Sequence, residues 1–118
     1  MTQMIYHMCH AEEWAAAVAA GVYHGSSQDR ADGFMHFSTA MQIVESARRH
    51  RAGQDGLLLL AIDAARLGDR LKWEPSRGGD LFPHLYGPLD PAESTSVQPL
   101  PLGPDGLHVF PELTFLQG

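Results

Sequence analysis

"GFMHFSTAMQ", Gly33 to Gln42, is the stretch on which the fold turns. Its first half alternates in the manner of a strand. In its second half Thr39, with Gln42 three residues on, has the form of a capping box. The pattern predicts a strand over Phe34–Ser38 and a helix running to about Arg51. Alternation sets Met35, Phe37 and Thr39 on one face and Phe34, His36 and Ser38 on the other. One face is core. The other presents His36 and Ser38 immediately before a helix N-terminus, where backbone N–H groups favour an anion such as phosphate or carboxylate.

Working outward, "LFPHLYGPLD" (Leu81–Asp90) again threads a histidine and a tyrosine through apolar neighbours, with His84 and Tyr86 on one face. Pro83 argues against a regular central strand there and for an extended loop or an irregular strand. "MIYHM" (Met4–Met8) reads as a strand with Ile5 and His7 on one side and Tyr6 and Met8 on the other. "AEEWAAAVAA" predicts a three-turn helix stopped by Gly21, with Trp14 and Val18 inward. Val22–Gly33, rich in Gly, Ser and Asp, reads as a movable loop over a cleft, and it carries Tyr23. "LLLLAI" (Leu57–Ile62) is the central strand with both faces covered. "LKWEP" (Leu71–Pro75) is a short strand in which Glu74 lies on the face opposite Trp73. "STSVQPLPL" is an edge strand. Trp14 and Trp73 are expected in the core, and Asp63 as a turn or cap residue.

Composition bounds the rest. The chain has 118 residues, 44% hydrophobic, sufficient for one core and one domain spanning 1–118. No apolar run approaches the roughly 18 residues of a membrane span, and a leader pattern is lacking. The lone Cys9 makes no disulfide framework and reads as a small buried hydrophobe, so a cytoplasmic protein is expected. A net charge of -6 argues against a nucleic-acid partner.

The ordered set "IYH" (Ile5–His7), a tryptophan in the following helix, "GFMHFST", "LLLLAID", "LKWE" and "FPHLYGPL" resembles the DUF952 family of small uncharacterised bacterial proteins. Through it the chain is distantly similar to the ADP-ribosyltransferase-like fold. The resemblance implies an α+β architecture in which two small sheets, with two or three helices, flank a cleft for NAD or an ADP-ribose derivative. It also implies that His7 contacts the nucleotide, that "HFST" shapes the nicotinamide pocket, and that Glu74 is, by its order in the chain, the candidate for the catalytic glutamate.

Each marked residue has a plainer reading beside this one. His7 also reads as a hydrogen-bonded core histidine, His36 with Ser38 as a pair pinning the strand, and His84 with Tyr86 as a stapled turn. Glu74 before Pro75 also reads as a solvated strand end. Three histidines could suit zinc, but no HExxH spacing is present, so no metal is expected. There is no G-x-S-x-G elbow, Walker loop or G-x-G-x-x-G. The expectation is therefore a nucleotide-type enzyme, a transferase or glycohydrolase acting at a ribosyl C1′. Its catalytic groups would be Glu74 and His36, and its ligand-binding groups His7, Ser38, His84, Tyr86 and Tyr23. NAD would stand as substrate, with no tightly held cofactor. The alternatives are a non-catalytic binding or sensing domain on the same fold, and a structural domain whose histidines serve only packing.

Overall fold

The computed structural model describes residues 3–114. They form two antiparallel sheets and three α-helices, joined by short 3-10 turns. The strands are β1 (Met4–His10), β2 (Met35–His36), β3 (Ser38–Thr39), β4 (Leu57–Asp63), β5 (Leu71–Pro75), β6 (Leu81–Leu85) and β7 (Ser94–Leu100). The helices are α1 (Ala11–Ala20), α2 (Ser27–Asp32) and α3 (Ala40–His50). The larger sheet runs β3-β1-β4-β7 and the smaller β2-β6-β5.

Both faces of the larger sheet are covered, which is why β4 is apolar from Leu57 to Ile62. Leu57, Leu59 and Ala61 pack with Met4, Tyr6 and the α3 residues Ala40 and Ile43. Leu60 and Ile62 pack with Ile5, Cys9, the α1 residues Trp14 and Ala17, and Met35 and Leu85 of the smaller sheet. Burying aliphatic side chains of this size stabilises the fold by about 1.5–3 kcal/mol each. The edge position of β7 and the buried, free Cys9 agree with the sequence reading. So does Asp63, whose Oδ1 accepts the Ala65 N–H at 3.0 Å.

The opening stretch is not one strand. β2 pairs with β6 (His36 beside His84), whereas β3 pairs with β1 (Tyr6 beside Ser38). The chain crosses between sheets at Phe37, which is buried. Pro83 shows why the ladder breaks there. Its carbonyl accepts the Phe37 N–H at 3.0 Å, but on that same edge it has no N–H to return. β6 is therefore the central strand of the smaller sheet despite its proline, because β2 ends where the missing donor would be needed. The predicted capping box is present at the start of α3, with the Thr39 N–H donating to Gln42 Oε1 at 3.0 Å.

Three further expectations are corrected. Val22–Gly33 is not a plain loop. Ser26 and Asp29 form a capping box that starts α2, and Tyr23 is buried and bonded through its backbone to Leu89. In α1 the buried stripe runs from Trp14 to Ala17, leaving Val18 54% exposed. The small Ala17, one turn on from Trp14, is the residue that meets the core. Trp73 stands at the open edge of the smaller sheet and is 38% exposed rather than core.

Candidate functional site

A cleft of about 580 Å³ opens where β1 and β3 meet β2 and β6. His7, His36, Ser38 and His84 all line it, so three histidines far apart in sequence share one concavity. Alternation on the smaller sheet explains two of them: His36 and His84 are cross-strand partners on the same face, with ring centroids 5.7 Å apart. Tyr23, Glu74 and Tyr86 are not in its lining. They stand behind it: Tyr23 bonds to His7 and Glu74 to His84, while the Tyr86 hydroxyl donates to Glu74. The first turn of α3 is also absent from the lining, which takes Ser46 and His50 from the second half of that helix and Arg51 just beyond it.

His7 is buried on the β1 face that meets the smaller sheet. Its Nδ1 lies 2.7 Å from the His36 carbonyl, so that nitrogen carries the proton. Its Nε2 then accepts from the Tyr23 hydroxyl at 2.7 Å. Burial holds the His7 imidazole below its ordinary value, against the pull of Asp29, and the ring is neutral. Burial likewise pushes the Tyr23 hydroxyl far up and keeps it a donor. With both nitrogens committed, His7 shapes the wall and offers the cleft no free polar atom.

Asp29 organises this end of the site. It is 3% exposed. Its Oδ1 accepts from the His36 N–H at 3.1 Å and from His36 Nδ1 at 2.5 Å. Its Oδ2 accepts from the Ser26 N–H at 2.8 Å and the Ser26 hydroxyl at 3.0 Å. Burial pushes this carboxyl upward, but the His36 bond, the nearby His7 and the Ser26 and His36 amides outweigh it. The net result lies well below the usual carboxylate range. His36 is correspondingly raised, chiefly by its bond to Asp29. Its Nε2 meets Asp32 Oδ2 at 3.0 Å, so the ring is an imidazolium held between two carboxylates. A ring so held is a poor proton acceptor.

The other end is built on β5 and β6. Glu74 and His84 lie diagonally across the two strands on the cleft face. Glu74 Oε1 meets His84 Nδ1 at 2.8 Å and accepts from the Tyr86 hydroxyl at 2.7 Å. These two bonds, Tyr86 first, hold the Glu74 carboxyl below its ordinary value. Phe34 lies against His84 with centroids 4.1 Å apart. Glu74 therefore reaches the cleft through His84 and not directly. Nδ1 is fixed toward the carboxylate, and Nε2 has no side-chain or backbone partner among the described residues. Ser38 donates to Ser46 at 3.2 Å, tying β3 to α3 beside the cleft.

Sequence reasoning missed Asp29, Asp32 and Phe34. The first had a readable signal, since "SSQD" places Ser26 three residues before Asp29 in capping-box spacing. Among the described residues no group of three His, Cys, Asp or Glu side chains is arranged to hold a metal ion.

Residues 8–97 match the DUF952 family, described as protein of unknown function. The chain belongs to that family. Its similarity to solved structures covers most of the chain. The crystal structure of protein CC0527 from Caulobacter crescentus is 47% identical, with a TM-score of 0.87 over 90% of this chain and 93% of that one. The solution structure of the same protein is 48% identical, with a TM-score of 0.80 over 88% and 90% of the two chains. The imidazole glycerol phosphate synthase subunit HisH of Rhodopseudomonas palustris is 33% identical over 85 residues, or 70% of this chain. That stretch spans only 37% of the HisH protein.

Proposed function

We propose that this DUF952 domain takes a nucleotide-type ligand, NAD or an ADP-ribose derivative, in the histidine-walled cleft and cleaves or transfers at the ribosyl C1′. The observation that carries the reading is the Glu74–His84 pair, a carboxylate-oriented imidazole on the wall of a cleft sized for a small molecule. The sequence resemblance to the ADP-ribosyltransferase-like fold supplies the ligand class. In hydrolysis of NAD the bond from C1′ to the nicotinamide nitrogen breaks, and its electron pair neutralises the pyridinium. The ribose passes through a cation-like state, as in glycoside chemistry. A water oxygen bonds to C1′ and its proton goes to His84 Nε2. Glu74 stabilises the imidazolium that forms. Ser38 and His36 position the ligand, and Tyr23 holds His7 in the wall.

The second reading, a non-catalytic sensing domain, has its own support: among the described residues each carboxylate in the lining already has a partner. Glu13 accepts the His10 N–H, and Asp29 and Asp32 are bonded to His36, while Glu74 stands behind His84. One experiment separates the two. Purified protein is tested with NAD and ADP-ribose by thermal shift and by nicotinamide release. Turnover that His84→Gln abolishes supports the enzyme. Stabilisation without turnover supports the sensor. No response to either compound overturns the ligand class.

A further inference from the structure

We propose that His36 Nε2 is the anion-recognition point of the cleft, and that Asp32 occupies it in place of a phosphate or carboxylate oxygen of the ligand. The proposal rests on the reading of the cleft as a ligand site and names the chemistry at one end of it.

The two carboxylates on His36 are not equivalent. Asp29 is buried, its side chain 4% exposed, and it holds Nδ1 together with the His36 N–H. That double grip fixes the ring and leaves Nε2 facing outward from a side chain that is 41% exposed. Asp32 meets Nε2 from the last position of α2 and is itself 37% exposed. Among the described residues its other oxygen accepts only from the exposed Gln28 side chain, at 3.0 Å. An exposed ion pair of this kind contributes little and is readily exchanged, whereas the buried pair beneath it is not. Losing Asp32 leaves His36 charged and still paired with Asp29. A ligand oxyanion entering the cleft therefore finds a fixed, charged N–H whose present partner is a weakly held surface carboxylate. Arg51 lines the same cleft and brings further N–H donors to its edge.

The test uses the intact chain with inorganic phosphate and, separately, acetate at constant ionic strength, followed by NMR of the His36 ring. Phosphate should shift the His36 Nε2 resonance saturably. Asp32→Asn should tighten phosphate binding about threefold to tenfold, because the competing carboxylate is gone. Asp69→Asn removes the same charge at an exposed position outside the cleft and should leave the affinity unchanged. His36→Gln should lose the site while retaining a folded amide spectrum. Saturation by both anions assigns a general oxyanion site, and saturation by phosphate alone assigns a phosphoryl site. An unshifted ring with either anion, or an Asp32→Asn affinity equal to that of Asp69→Asn, overturns the proposal. NAD binding to His36→Gln at wild-type strength sinks this proposal alone. Phosphate binding as described without NAD binding sinks only the nucleotide reading.

Discussion

Glu74 Oε1 lies 2.8 Å from His84 Nδ1, across two neighbouring strands whose alternation puts both side chains on the cleft face. The bond fixes the ring, and His84 is buried while Glu74 is 36% exposed at the side chain. The carboxylate thus orients the ring from the solvent side. If the cleft cleaves at C1′, His84→Gln should lower nicotinamide release by about 10²–10⁴-fold. Glu74→Gln keeps the shape and loses the charge, so its loss should be smaller, with little change in melting temperature. Equal turnover in wild type and His84→Gln would remove His84 from the chemistry.

Asp29 and Asp32 should differ sharply in stability. Asp29→Ala leaves His36 and Ser26 without their buried acceptor. Breaking a buried charged network of this kind costs about 3–5 kcal/mol. Asp32→Asn breaks only an exposed pair and should cost about 0–1 kcal/mol. Urea unfolding of the two variants measures this. The same substitution at Asp29 should return the His36 titration toward its ordinary 6.5, read by NMR. Similar midpoints for both variants would contradict the central place given to Asp29.

The two histidines beside Asp29 make opposite contributions to the pH dependence of stability. His36 is raised from 6.5 in the folded state, so its stabilisation is full below pH 6.5 and is lost as pH rises through the raised value. His7 is lowered from 6.5, so its contribution is full above pH 6.5 and is lost as pH falls through the lowered value. Asp29 is lowered from 3.8, and its contribution disappears only as pH falls below that value. Relative to wild type, His36→Gln should therefore lose more stability at pH 5.5 than at pH 8.5. Denaturant melts at the two pH values check the sign, and a larger deficit at pH 8.5 would reverse the assignment.

Gly25 and Gly21 provide a matched pair. Both have left-handed backbones, at φ 90° and 79°. A Cβ at Gly25 would sit 2.7 Å from Asp29 Cβ and 2.8 Å from Met35 Cγ, whereas at Gly21 nothing lies within 4 Å. Gly21→Ala should cost only the left-handed penalty, about 1–2 kcal/mol. Gly25→Ala adds a clash against the α2 anchor, so its melting temperature should fall by several degrees more. Equal losses would show that α2 tolerates displacement.

What the sequence alone determined follows from local periodicity and capping. The apolar run Leu57–Ile62 requires burial on both faces, and it lies within the larger sheet. Thr39 with Gln42 and Gly21 with the alanine run mark helix ends by hydrogen bonds made within a few residues. The alternation of His36 with Ser38 and of His84 with Tyr86 marked polar groups in apolar surroundings, and His36, Ser38 and His84 line the cleft. Tertiary structure decided the rest, because it turned on partners distant in the chain. Pro83 ends the β2 pairing only because Phe37 lies beside it, and that break sends Ser38 to the other sheet. Glu74 could not be placed from its own neighbours, since its role depends on reaching His84 and Tyr86 across a strand pair. Asp29 looked like one more acid in a polar loop. Burial beside two histidines, a property of the packed chain and not of its local sequence, makes it the anchor of the site.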